Sequence, residues 1–200
     1  MGTYVNPGNE SMQSAVRSEI YMDKTGLLKI LNSSLETENR YFAVSRARRF
    51  GKSMAAGMID AYYSRGCDSR ELFLPFEIAG DPDFEKYLNK YNVIHFDVAS
   101  FLYRAKTPED VVPFIDRTLL EEMLKEFPFL KEDHPADTAA AMNLVYERNK
   151  NKFVVIIDEY DCITRDASEN EELVLGFIKY LRGFFKTEES KQFLALGYIT

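Results

Sequence analysis

Phe153-Val154-Val155-Ile156-Ile157-Asp158-Glu159 is the stretch that decides how this chain folds. An unbroken apolar run rich in β-branched residues fits a strand buried on both faces of a parallel sheet, where helices cover each side and the usual alternation of apolar and polar residues disappears. Two carboxylates follow at once. They mark the carboxyl end of the strand, the edge at which open α/β sheets bind ligands.

Working outward, three more apolar runs read as strands: Tyr41 to Val44, Asn92 to Val98 and Phe193 to Thr200. Helical spacing lies between them. Met54, Met58 and Tyr62 recur every four residues, Val111, Ile115 and Leu119 share one face of a helix begun by Pro108, and Leu173, Phe177 and Leu181 mark another. A helix over Asp137 to Asn149 and a short one from about Lys24 to Asn32, with Asp23 placed to cap it, complete the pattern. Strands alternating with helices imply right-handed β-α-β units, and so a three-layer α/β sandwich with a mostly parallel sheet. With no repeat and no linker-like segment, residues 1–200 read as one domain. The chain stops directly after a strand, so the expectation is a C-terminally incomplete domain, the N-terminal part of a longer protein. Its first strand would lie at a sheet edge and favour self-association into a homo-oligomer.

Composition excludes several classes of function. With 46% apolar and 14% aromatic residues the chain has enough side-chain volume for a core. No apolar run is long enough for a signal peptide or a membrane span, so the expected setting is the cytoplasm, without membrane contact. Cys67 and Cys162 are too far apart for a CxxC pair, and His95 and His134 have no ligand-like neighbours in sequence. A net charge of -7 opposes non-specific attachment to nucleic acid. Positive charge is instead concentrated at Arg46, Arg48, Arg49 and Lys52, which suits a compact anion, the bland alternative being a solvated turn.

That cluster lies between the first strand and the Met54 helix, in Ser45-Arg46-Ala47-Arg48-Arg49-Phe50-Gly51-Lys52-Ser53. A loop feeding a helix N-terminus offers backbone N–H groups and the helix dipole to a phosphate chain. Gly51 lets the backbone approach a phosphate, Lys52 reaches the β and γ phosphates, and the Ser53 hydroxyl can ligate Mg2+. The Walker A pattern asks for a first glycine where this chain has Arg46. Gly-Lys-Ser alone is a weak signal. Asp158 and Glu159 raise it, acting as a Walker B pair: Asp158 would hold Mg2+ through its water shell, and Glu159 would orient or deprotonate the attacking water. The competing reading of the two is a capped turn leaving a strand. The four strands match an ATPase core whose fourth strand inserts between the first and third, an ASCE/AAA-like order of 1-4-3-2. Thr200 then reads either as a polar γ-phosphate sensor or as an exposed threonine at a chain end.

Tyr21-Met22-Asp23-Lys24-Thr25-Gly26, the Ser45 to Ser53 loop, Ala61-Tyr62-Tyr63-Ser64-Arg65-Gly66-Cys67-Asp68-Ser69 and Ile157-Asp158-Glu159-Tyr160-Asp161 resemble the predicted AAA-ATPase-like family of bacterial proteins, a P-loop NTPase group close to STAND and archaeal ATPases. The resemblance runs from about Val5 to the end. It accommodates Arg46 in place of the first glycine, whereas Ala47 departs from the family's proline. It implies ATP and Mg2+ as ligands and a binding set of Arg48, Arg49, Phe50, Gly51, Lys52, Ser53 and Thr200, with Lys52 and Glu159 in catalysis and Ser53 and Asp158 on the metal. Most members continue into a restriction-endonuclease-like domain, through which nucleic acid would be a partner; nothing of it lies in these residues.

Several residues stay open between two roles. Arg48 and Arg49 either touch phosphate or nucleotide, or brace the loop against the acidic residues 158 to 161. Asp23 and Lys24 either line the adenine side or serve the cap of their helix, while Tyr62 and Tyr63 read as core. The function that follows is ATP binding and hydrolysis coupled to conformational change. A STAND-like switch that binds nucleotide with little turnover is the alternative, and Glu159 discriminates against it, since a pure binder needs no water-activating carboxylate.

Overall fold

The computed structural model describes residues 2–45 and 51–200. Four strands form one parallel sheet: β1 (Tyr41–Ala43), β2 (Asn92–Asp97), β3 (Phe153–Asp158) and β4 (Leu194–Ile199), in the order β1-β4-β3-β2. The last strand lies between the first and third, as the spacing of motifs predicts. All four carboxyl ends therefore open on one edge of the sheet.

The run from Phe153 to Ile157 is fully buried at every residue. Its alternate side chains feed two separate cores, because successive strand residues point to opposite faces. Phe153, Val155 and Ile157 join Ile94 and Phe96 against Ile115, Leu119, Met142, Val145 and Phe184 of the helices on one face. Val154 and Ile156 join Val93 and Tyr198 against Leu28, Leu31, Ile59, Tyr62 and Tyr63 on the other. This is the predicted three-layer arrangement. Tyr62 and Tyr63 are completely buried and meet edge to face, with ring centroids 4.9 Å apart, so both are core residues.

Several boundaries differ from the sequence reading. Val98 begins a helix, Val98–Arg104, because Asp97 turns the chain and its carboxylate accepts the Ala99 N–H at 2.9 Å. Phe193 ends a short helix, Glu188–Phe193, opened by a capping box between Thr187 and Ser190 whose N3 serine departs from the usual Glu or Gln signature. The helix expected from Lys24 starts at Gly26, with Thr25 at its N-cap position. Met54 is 45% exposed, because the first turn of the Lys52–Tyr63 helix projects beyond the sheet while Met58 and Tyr62 pack on it.

The sheet's two edges are finished differently. At β2, the N-terminal segment adds an antiparallel bridge between Val5 and Ile94. Tyr4 O accepts the His95 N–H at 2.9 Å, while Asn6 closes a pair of 2.8 Å bonds with the Val93 backbone. At β1 no described residue pairs with the outer edge, and a hollow of about 260 Å³ lies there between Tyr41, Phe42 and Phe185. Phe185 can lie over β4 because Gly197 has no side chain; a Cβ there would meet the ring at 2.8 Å. No helix among the described residues is long and apolar enough to cross a membrane.

Candidate functional site

The site lies where β1 hands the chain to the Lys52–Tyr63 helix, facing the end of β3. Gly51 precedes that helix with φ +78°, in the left-handed region that a side chain disfavours. Among the described residues no side chain caps the helix, so none of them takes its leading N–H groups. The sequence-predicted contacts of Arg48, Arg49 and Phe50, like the Arg46 and Ala47 positions, lie outside the described residues.

Lys52 and Glu159, about a hundred residues apart in sequence, are brought together with Nζ 3.8 Å from Oε1. The other carboxylate oxygen of Glu159 lies 3.4 Å from Arg165 Nη2. Arg165 is in turn held by Asp161 at 3.2 Å and Asp166 at 2.9 Å. Glu159 adopts φ +50°, a left-handed conformation that costs a residue with a side chain on the order of 1 kcal/mol. The turn is secured by the Glu159 N–H donating to Asp158 Oδ1 at 3.0 Å and the Cys162 N–H donating to Glu159 O at 3.1 Å. Strain of this kind is retained where the surrounding structure fixes it, and here it aims the glutamate at the helix start.

Asp158 is 4% exposed and stands in register with Asp97 on β2. Burial pushes the Asp97 carboxyl above its ordinary range, and the neighbouring charges of Asp158 and Glu159 push it further. Asp97 was not singled out in the sequence. The signal was present, since an apolar strand ends in a carboxylate there just as it does at Asp158. Arg165 also had a signal, its i,i+4 spacing from Asp161.

Thr200 adjoins this acidic end. Its N–H donates to Ile157 O at 2.9 Å, and its carbonyl accepts the Tyr160 N–H at 3.2 Å. The side chain is buried, and its Oγ1 has no hydrogen-bond partner among the described residues. The reading of Thr200 as an exposed threonine at a chain end is therefore corrected, because β4 carries it into the interior. Ser53 is exposed on the helix that begins at Lys52, and no hydrogen bond joins it to Asp158. It borders a hollow of about 400 Å³ together with Gly57, Asp60 and His95.

His95 does have a partner: its Nδ1 lies 2.5 Å from Asp60 Oδ2. Burial raises the Asp60 carboxyl, and although burial alone lowers an imidazole, the Asp60 charge outweighs it and raises His95. The two are 35 residues apart on a helix and a strand, so no local pattern announces the pair. Among the described residues no three His, Cys, Asp or Glu side chains converge to hold a metal.

On the other side of Gly51 lies a cavity of about 330 Å³, lined by Lys24, Leu27, Val44, Gly51, Lys52 and Tyr198 among others. Asp23 does not face it. Its Oδ1 accepts the Thr25 N–H at 2.8 Å and its Oδ2 the Glu77 N–H at 2.9 Å, bonds that outweigh burial and lower its carboxyl pKa. It braces the approach to the helix without serving as N-cap.

An all-parallel sheet in the order 1-4-3-2, whose edge strand leads through a glycine into a helix start facing the end of β3, defines a P-loop-like α/β sandwich. A family model described as Predicted AAA-ATPase matches residues 12–200, and the chain belongs to that family. Membership supports nucleotide binding in general. No curated protein and no solved structure matches the chain.

Proposed function

We propose that this chain binds Mg-ATP at the start of the Lys52–Tyr63 helix and hydrolyses it, with hydrolysis coupled to a conformational change. The observation that carries the reading is the approach of Lys52 to Glu159 between the helix start and the end of β3. A cation beside uncapped helix N–H groups attracts a phosphate chain, and a carboxylate across from it stands where an attacking water would need a base.

Gly51 lets the backbone close on a phosphate, Lys52 contacts the β and γ phosphates, and Arg48, Arg49 and Phe50, which precede Gly51 in sequence, would complete the binding set. Ser53 and Asp158 would hold Mg2+. Their donors fit that ion, since Mg2+ takes oxygen ligands and commonly only one or two from protein, the rest coming from phosphate and water. Bound there, Mg2+ supplies neutralising charge to the β and γ phosphates. Thr200 Oγ1, a buried hydroxyl without a partner among the described residues, would donate to a γ-phosphate oxygen. Glu159 takes the proton of the attacking water.

One observation favours the alternative, a nucleotide-dependent switch with little turnover. Both carboxylate oxygens of Glu159 already face cations, Lys52 and Arg165, so the base must be released from at least one of them to act.

The test is titration with a fluorescent ATP analogue. Lys52→Ala should weaken binding about tenfold to a hundredfold, the value of a charge-assisted contact. Equal affinity in wild type and variant would remove the phosphate-loop assignment.

A further inference from the structure

The segment just before the Gly26–Ser34 helix is fixed with unusual economy. The Asp23 carboxylate is held by the Thr25 and Glu77 N–H groups, and Thr25, fully buried, accepts the Ile78 N–H on its hydroxyl at 3.2 Å. Residues 23 and 25 are thus both tied to residues 77 and 78. Lys24, between them, goes elsewhere. Its side chain lines the 330 Å³ cavity together with Gly51 and Lys52. Its ammonium reaches the glycine itself, so that a Cβ built on Gly51 would lie 2.8 Å from Lys24 Nζ.

Two lysines from distant parts of the sequence therefore border one cavity, at a helix N-terminus whose dipole adds positive potential, with the Lys24 ammonium by Gly51 and the Lys52 ammonium turned toward Glu159. In a chain of net charge -7 this is the pattern that a multiply charged anion complements. Among the described residues the rest of the lining, Leu27, Val44, Ala55 and Tyr198, carries no further cation.

We propose that Lys24 is a second phosphate-binding cation of the nucleotide site, held over Gly51 by the Asp23 and Thr25 anchors and contacting the polyphosphate from the side opposite Glu159. The proposal rests on the nucleotide-binding reading above and adds a residue, and with it the 23–25 segment, to that site. It also gives the glycine a second reason. At position 51 a side chain would be strained by the backbone and would displace the Lys24 ammonium as well.

The experiment compares wild type, Lys24→Met, which keeps the aliphatic stem, and Lys24→Arg, which keeps the charge. ATP, ADP, AMP and inorganic tripolyphosphate are measured as competitors of a fluorescent ATP analogue, and thermal midpoints are taken without ligand. Lys24→Met should lose about tenfold in affinity for ATP and for tripolyphosphate, less for ADP and least for AMP, while Lys24→Arg recovers most of the loss. The unliganded midpoint should stay within about 2 °C of wild type, since a solvent-exposed lysine is replaced. Unchanged affinities in Lys24→Met, with wild type binding ATP, would overturn the proposal and leave the nucleotide site standing. A loss for ATP but none for tripolyphosphate would also overturn it, by placing Lys24 on the nucleoside. Wild type that binds neither ATP nor tripolyphosphate would instead fail the nucleotide reading itself.

Discussion

Asp158 reaches the site from the middle of the sheet, at the end of a strand whose preceding five residues are fully buried, whereas Lys24 and Lys52 reach it from the approaches to two helices. The acidic half is positioned by strand register. Asp97 pairs with Asp158 because Asn92 pairs with Phe153 and every residue between follows in step. A slip of one residue would turn the whole apolar set to the wrong face, so the carboxylates cannot shift singly. The cationic half depends on local backbone geometry: the positive φ of Gly51, and the two anchors on either side of Lys24. The lesson is that substitutions in the acidic half should alter chemistry while the frame holds, and those in the cationic half should alter both placement and affinity.

The sharpest way to break this comparison is Glu159→Gln. It keeps size and polarity but loses basicity, so turnover should fall on the order of a hundredfold or more while ATP affinity stays within about twofold. Phosphate release and analogue titration must be measured separately. Unchanged turnover would make Glu159 structural and favour the switch.

Gly51→Ala tests the cationic half. Placing a side chain at φ +78° should cost about 1 kcal/mol, or about 3 °C in thermal midpoint for a chain of this size, and weaken nucleotide binding as Lys24 is displaced. A variant with wild-type midpoint and affinity would show that neither the backbone conformation nor the contact with Lys24 constrains this position.

A smaller effect is expected at Asp97. Its carboxyl is raised in the folded state, first by burial and then by Asp158 and Glu159, so its charged form opposes folding at neutral pH. The stability associated with its proton is present below the ordinary aspartate range and is lost as pH rises through the raised value. Asp97→Asn retains an acceptor for the Ala99 N–H and removes the charge. Denaturant unfolding at pH 7 should show a gain on the order of 0.5 kcal/mol, reduced from any larger figure by solvent screening. A loss of stability would mean that Asp97 is ion-paired and not repelled.

The smallest effect is a slope. Folded His95 holds its proton more strongly than it does unfolded, so its contribution is full below pH 6.5 and declines as pH rises through its raised value, whereas that of Asp60, raised by burial, is full only below the ordinary aspartate range. Thermal midpoints between pH 6 and 8 should therefore fall more steeply in wild type than in His95→Gln. Parallel curves would show that the pair is not proton-linked to folding.

What the sequence determined by itself was the content of the sheet and which residue types gather at one end of it. The run 153–157, the carboxylates 158 and 159 and the Gly51-Lys52-Ser53 triplet are local patterns, and local patterns are legible because apolar periodicity and turn chemistry act over a few residues. Four strands, their order and the two core faces followed. The tertiary structure alone decided which charges meet. Lys52 faces Glu159, Asp97 stands beside Asp158, Asp60 holds His95, and Lys24 comes to Gly51 across 26 residues of intervening chain. Each of these depends on how a helix or loop is docked on the sheet. That docking is set by the summed burial of residues such as Leu28, Ile59 and Tyr62, which carry no mark of the charges they bring together.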